Sequence, residues 1–356
     1  MFRFIKTAVL CGAAVLSVTA CGSDSKSAST TTAAAGASTS SAPSSTSPAS
    51  GGPAASDTTA PADTTIASDA TGSTAANADG PISVDAANGT VTLPAKPVRI
   101  VSLAPSHTET LYAIGAGAQV IAVDDQSNYP AEAASVKSDL SGYTPNVEAI
   151  AGYTPDLVLL SGDTDGVAAQ LEALKIPVWV GPAATSLDDV YTEMEQLGVL
   201  TGHVADAAKL VASMQSDIAS IIAQLPDTEQ ALTYYHELDN TYFSVTSHTF
   251  IGQIYALAGL TNIADGAEAD TDYPQLNSEF IVSADPQLIF LADTKCCGET
   301  PATVAARDGW AGISAVKHGG VIAMDDDIAS RWGPRVVDYL RAVVDAVNAV
   351  VAAPAG

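Results

Sequence analysis

Two Ser-His-Thr triplets, Ser106-His107-Thr108 and Ser247-His248-Thr249, put a hydroxyl beside an imidazole twice in one chain. These are the parts of a hydrolase, but adjacent side chains point apart, so neither pair makes a nucleophile with its base. No Gly-x-Ser-x-Gly elbow, phosphate-cradling glycine loop or dinucleotide fingerprint occurs, and no catalytic residue is assigned. A metal would need three or four converging ligands. The chain has 5 histidines without a His-x-x-x-His or Cys-x-x-Cys spacing, and the two recurring histidines are read as structural caps at helix starts.

A second repeat says more. Glu148-Ala-Ile-Ala-Gly-Tyr-Thr-Pro155-Asp-Leu-Val-Leu-Leu160 returns as Glu279-Phe-Ile-Val-Ser-Ala-Asp-Pro286-Gln-Leu-Ile-Phe-Leu291. Each copy reads as a glutamate on a short helical turn, a proline that cannot continue it, and a buried strand. With the Ser-His-Thr triplets also duplicated, two related lobes follow, and function belongs between them. As a bland reading, each glutamate could merely cap its short helix.

The elements around these residues alternate. In the first lobe (81–200), strands over Arg99–Leu103, Val120–Val123, the run after Pro155, and Pro177–Val180 alternate with helices. Ser106 is read as the N-cap of the first helix, with Glu109 three places on completing a capping box. Val204, Ala207, Val211, Met214, Ile218, Ile221 and Leu225 form a stripe at steps of three and four. That is a helix of about 22 residues, roughly 33 Å, within an interdomain segment 201–226. The second lobe (227–353) repeats the plan with strands at Leu232–His236, Asn262–Ile263, Leu288–Leu291 and Val321–Met324. The expected fold is α/β: two Rossmann-like lobes with mostly parallel sheets, joined by one long interdomain helix. Ligands of such sheets gather at the carboxyl ends of the strands.

Of 356 residues, the first 80 are not expected to join this fold. Arg3 and Lys6 precede a short apolar run, the form of a secretory signal peptide over 1–20. Val18-Thr-Ala-Cys21-Gly resembles a bacterial lipobox, which implies cleavage before Cys21 and its lipidation. Residues 21–80, almost wholly Ser, Thr, Ala, Pro, Gly and Asp, read as a disordered tether. Losing Arg3 and Lys6 takes the formal charge from −26 to −28, a poor partner for nucleic acid and for anionic membrane surfaces. Cys11 leaves with the signal, so the folded part keeps only Cys296-Cys297. Outside the cell such a pair is expected to oxidise, although neighbouring Cα atoms ~3.8 Å apart would strain a vicinal disulfide. Free thiols and soft metal ligands are the alternatives.

Arg99-Ile-Val-Ser-Leu-Ala-Pro-Ser-His-Thr-Glu-Thr-Leu111, the two Glu…Pro strands, the strut helix and the closing Gly333-Pro334-Arg335 together resemble a family of substrate-binding proteins. These serve the bacterial ABC importers of ferric siderophores, haem and cobalamin, and the likeness, over residues 95–350, is nearest to the cobalamin binders. It implies two lobes bridged by one helix, a ligand in the interlobe cleft, no enzymatic activity and no resident cofactor. The partners it implies are a permease and its ATPase subunits, with the protein a monomer lipid-anchored outside the membrane. Glu148 and Glu279 match the glutamates that dock on permease arginines, one charge per lobe fixing orientation. Tyr129 and Tyr273 fall where cobalamin binders carry aromatic residues over the corrin, with Tyr143, Tyr242 and Phe243 near two further such positions. Asp327 and Arg331 match positions that hydrogen-bond the corrin's amide arms, and Trp332 stands beside them. Among cleft bases the sequence offers Lys295, Arg331 and Arg335 amid many carboxylates. A largely uncharged corrinoid therefore fits better than an anionic triscatecholate complex, and a near-neutral hydroxamate siderophore or haem is the alternative.

Overall fold

The computed structural model describes residues 80–352 apart from 268 and 269. The expected signal peptide, the lipidation at Cys21 and the tether up to residue 79 lie outside the described residues.

An antiparallel hairpin, β1 (Ile82–Ala86) and β2 (Gly89–Leu93), opens the fold. Then follow β3 (Ile100–Ser102), α1 (Pro105–Ala113), β4 (Val120–Val123), α2 (Val147–Gly152), β5 (Leu157–Leu160), α3 (Val167–Ala173) and β6 (Val178–Val180). Two longer helices come next, α4 (Leu187–Thr201) and α5 (Val204–Ile222). The chain continues with β7 (Thr233–Glu237), α6 (Phe250–Leu257), β8 (Thr261–Asn262), α7 (Ser278–Ala284), β9 (Leu288–Leu291), α8 (Pro301–Ala305), α9 (Ser314–Lys317), β10 (Val321–Ala323), α10 (Asp326–Ala329) and α11 (Val336–Ala352).

Two separate sheets result. One has the order β4-β3-β5-β6 and the other β8-β7-β9-β10, with every neighbouring pair parallel. The orders are identical when β3 is matched to β7, so the sequence repeat is also a repeat of topology. The α/β class with two parallel sheets is as expected from the alternation of strands and helices.

The central strands β5 and β9 read as solid apolar runs because both of their faces are covered. Leu157 and Leu159 enter one core while Val158 and Leu160 enter another. In the second sheet Leu288 and Phe290 face one side, and Ile289 and Leu291 face the other. Period-two alternation thus feeds four cores from two strands.

The duplicated motif repeats down to its backbone. Asn146 caps α2 by accepting from the Ala149 N–H, and Asn277 caps α7 by accepting from that of Phe280. Thr154 and Asp285, each just before its proline, are held at φ 48° and 46°. This left-handed conformation is uncommon for residues with a Cβ.

Between the sheets, α4 and α5 pack as a helical hairpin rather than as one lone strut. Val190 and Met194 of α4, and Val211, Met214, Ile218 and Ile221 of α5, share a core with the second sheet. Leu197 and Leu200 of α4, and Ala207 of α5, join the core of the first. Gly202, at φ 73°, turns the chain between the two helices. Both helices therefore bridge the lobes. A stripe on α4 at steps of four, three and three does the same work as the one on α5, and the expectation of a single bridging helix overlooked it.

Candidate functional site

The lobes meet at a buried carboxylate. Glu109, on α1, is 3% exposed. Arg335, just before α11, donates to it from Nε (2.8 Å) and Nη2 (2.6 Å), and Arg331, just after α10, from Nη1 (2.8 Å). Arg331 also donates to the Asn128 side chain, the Gln126 carbonyl and Asp327. The Asn128 amide in turn donates to Asp327 (3.0 Å).

The capping box expected at the start of α1 is therefore not formed. The helix begins with Pro105 at its first turn behind Ala104, where a missing N–H costs nothing. Glu109 is drawn to two guanidinium groups instead, a far stronger attraction than one backbone N–H. Ser106 is free to accept from the Trp332 N–H (3.2 Å). The indole of Trp332 donates to Glu193 of α4 (3.2 Å), whose carboxylate also stands 3.4 Å from the imidazole of His107. His107 is buried against Trp179 and Trp332 and caps nothing. His248 caps nothing either, since Thr249 is the N-cap of α6.

Two cavities lie against this junction and share Ser330, Arg331 and Trp332 as a wall. One, about 280 Å³, is lined by the carboxyl ends of β3, β4 and β5 through Ala104, Asp124 and Ser161, and by Tyr143 and Asp327. The other, about 260 Å³, is lined by Ala184 and Thr185 from beyond β6 and by His248, Asp272 and Tyr273 from the second lobe. Both sit where parallel sheets present ligand sites. Gly142 is required in the first: a Cβ there would collide with the Leu103 carbonyl and crowd Asp124.

The structure brings Tyr143, Tyr273, Asp327, Arg331 and Trp332 to these cavities. Tyr143 and Tyr273 are 79% and 52% exposed, so their ring faces are open. Tyr129 is close by, its ring 4.3 Å from the Arg335 guanidinium. Tyr242 and Phe243 are not brought to either cavity. Tyr242, at φ 71°, stacks on Trp310 within a core of the second lobe and faces Arg307. Phe243 pairs with Gln275 on the same lobe's surface.

Charge in the cleft loops is internally satisfied. Lys295 donates to Asp325 (2.6 Å) and Asp327 (2.8 Å), while Arg331 and Arg335 are held by Glu109 and Asp327. Burial would raise the Asp327 carboxyl, but hydrogen bonds from Lys295 and Asn128 and the charge of Arg331 outweigh it and hold it below the usual range. Asp124 goes the other way, raised chiefly by burial. Deeper in the second lobe, Glu237 at the end of β7 makes a two-pronged pair with Arg307, which also holds Glu299. Asp293 lies beside them, fully buried and without a donor. Burial, then Glu237, push it up to about 7.

Cys296 and Cys297 are exposed thiols with sulfurs 2.7 Å apart, on a turn whose Cys296 N–H donates to Asp326. Burial, then the second sulfur, push the Cys296 thiol up to about 12. Among the described residues no cluster of His, Cys, Asp and Glu could hold a metal ion. Nor is any described helix long and apolar enough to cross a membrane.

Glu148 and Glu279 are both exposed, in the first turns of α2 and α7. Asn146 and Asn277 do the capping, so the bland role for the glutamates is already filled.

The sequence reading gave Glu109 a capping role in place of its two arginine partners and did not mark Glu193. A signal for Glu109 existed: in the aligned triplets it stands opposite Phe250, a charge where the other copy is apolar.

Residues 100–328 match the profile of a family described as "Periplasmic binding protein". The chain belongs to that family. This periplasmic binding protein is 31% identical over 277 residues to the ABC transporter substrate-binding lipoprotein YvrC of Bacillus subtilis, covering 75% of this chain and 85% of that one. It is 33% identical over 272 residues to a cobalamin-binding protein of Halobacterium salinarum, covering 74% and 73%. Among solved structures it resembles the periplasmic vitamin B12 binding protein BtuF of Vibrio cholerae, with a TM-score of 0.61 and 25% identity over 72% of this chain and 98% of that one. Like its relatives, it is a substrate-binding protein of ABC transport and not an enzyme.

Proposed function

We propose that this periplasmic binding protein captures cobalamin or a related corrinoid in the cleft between its lobes and delivers it to an ABC permease and its ATPase subunits. One observation carries the choice of ligand: Lys295, Arg331 and Arg335 are each already paired with a carboxylate. Recruiting Arg331 or Arg335 for an anion would strip the buried Glu109 carboxylate of one of its two guanidinium partners, at a cost on the order of a few kcal/mol, whereas the half-exposed Lys295 would cost less. A triscatecholate complex or the propionates of haem would require that, whereas the amide arms of a corrin would not. The open rings of Tyr143 and Tyr273 add flat apolar area for a macrocycle at little rotamer cost.

The cavities, at about 260 and 280 Å³, are each small for a corrinoid. The macrocycle would therefore lie across both, against the Arg331-Trp332 wall and between the rim tyrosines. Asp327 supplies a polar group to it, and the indole of Trp332 an apolar wall. Glu148 and Glu279 serve as the two docking charges for the permease, one on each lobe, and lipid on Cys21 holds the protein at the outer face of the membrane as a monomer.

The test is equilibrium dialysis of the full chain against cyanocobalamin, dicyanocobinamide, haem and a ferric hydroxamate. The corrinoids should bind tightest. Preference for haem or the hydroxamate would overturn the ligand while leaving the carrier assignment in place.

A further inference from the structure

Glu193 is a buried acid that the stability of the fold does not call for. It is 9% exposed on α4, where its helical neighbours Val190, Met194 and Leu197 are apolar and buried. Burying a carboxylate is costly unless it is paired. Among the described residues no Lys or Arg forms an ion pair with it. Its partners are the indole Nε1–H of Trp332, at 3.2 Å, and the imidazole Nε2 of His107, at 3.4 Å. An indole nitrogen can only donate, so the direction of the first contact is fixed.

Trp332 is held at both ends. Its backbone N–H is donated to Ser106 and its indole N–H to Glu193, while the His107 ring meets the indole at 77° with centroids 6.3 Å apart. His107 is wedged in turn against Trp179, at 4.8 Å. Gly181 leaves room for that contact, since a Cβ there would strike the Trp179 ring and crowd His107 Nε2. Trp332 lines both cavities, whereas Glu193 and His107 line neither. Any influence of Glu193 on a ligand therefore passes through the indole.

We infer that Glu193 is the positioning residue for the Trp332 wall that the two cavities share. It holds the ring in one orientation and occupies its N–H, so a ligand meets an apolar face and no donor. The inference rests on capture in the cleft, as proposed above, and names a residue outside the cleft lining that sets the affinity. A ring fixed in advance need not be ordered on binding, a saving of about threefold to tenfold in affinity for one side chain.

Glu193→Leu should therefore weaken binding of dicyanocobinamide to the full-length protein about threefold to tenfold. Glu193→Gln keeps an acceptor for the indole and should stay within about twofold of wild type. In a Trp332→Phe background, which lacks the N–H, adding Glu193→Leu should cost less than about twofold more. The 3 tryptophans give separate indole N–H signals by NMR. The signal missing in Trp332→Phe should move upfield and exchange faster with water in Glu193→Leu, with the other two unmoved. A loss that recurs in full in the Trp332→Phe background, movement of all the indole signals together, or wild-type affinity in Glu193→Leu would overturn the positioning role and leave the corrinoid reading in place. Wild-type protein that does not bind dicyanocobinamide would sink the corrinoid reading and this inference with it.

Discussion

Glu109 and Arg335, 226 residues apart in the chain, meet in a two-pronged ion pair that ties one lobe to the other. Arg331 closes on the same carboxylate from a second direction. All three side chains are largely withdrawn from water, so each depends on the others for its solvation.

Glu109→Gln keeps the shape and removes the charge, leaving two guanidinium groups in a part-buried site. It should cost about 3–5 kcal/mol of unfolding free energy, read by urea denaturation. The paired change of Glu109→Met with Arg335→Met should cost less than the two single changes added together, because each partner is a burden without the other. A loss below about 1 kcal/mol for Glu109→Gln would mean that the pair is well solvated and does not tie the lobes.

Tyr143 and Tyr273 are open to solvent at the cavity rims. Replacing either by alanine should weaken corrinoid binding about tenfold, or about 1.4 kcal/mol, with the unfolding midpoint unmoved. Tyr242→Ala should do the reverse. That ring stacks on Trp310 inside the second lobe, so its loss should lower stability and leave corrinoid affinity near wild type.

Reversing the two exposed glutamates separates delivery from capture. Glu148→Lys or Glu279→Lys should each impair transport into cells or proteoliposomes carrying the partner permease, and the double change should abolish it. The dissociation constant for free ligand should not change. Full transport by the double variant would remove the docking role.

A pH titration of stability isolates Asp293. A carboxyl whose pKa is raised by folding contributes stability that is complete below its unfolded value, near 3.9, and is lost as pH rises through its folded value, about 7. An amide at that position does not ionise, so Asp293→Asn should gain on the wild type from about pH 4 to about pH 8, by on the order of a few kcal/mol. His236 has the opposite slope. Burial lowers its pKa to about 3, so its stability is present above about 6.5 and is lost as pH falls. Taking the difference between two proteins that both keep His236 removes that contribution. A difference flat with pH would show that Asp293 is ionised throughout.

The sheets were legible in the sequence because strands buried on both faces leave unbroken apolar runs. Val120–Val123 and Leu288–Leu291 occupy the very residues that pattern marks out. The doubled glutamate motif was legible because its proline and strand recur at one spacing. What escaped were contacts between residues far apart in the chain. Glu109 looked like the third residue of a capping box, since local spacing says nothing of two arginines more than 200 residues away. For the same reason Asp327 and Arg331 could be seen as a pair four apart, but not as a bond to Asn128, Gln126 and Glu109. Tyr242 and Tyr273 were indistinguishable as loop tyrosines, because only tertiary packing decides which ring meets a tryptophan and which meets water.

The most direct measurement is a structure of the full-length protein crystallised with dicyanocobinamide. Its corrin should lie between Tyr143 and Tyr273, against Arg331 and Trp332, with Lys295 and Arg335 still bound to their carboxylates. A corrin seated outside the cleft, or those cations turned from their carboxylates to the ligand, would contradict capture of an uncharged macrocycle between the lobes.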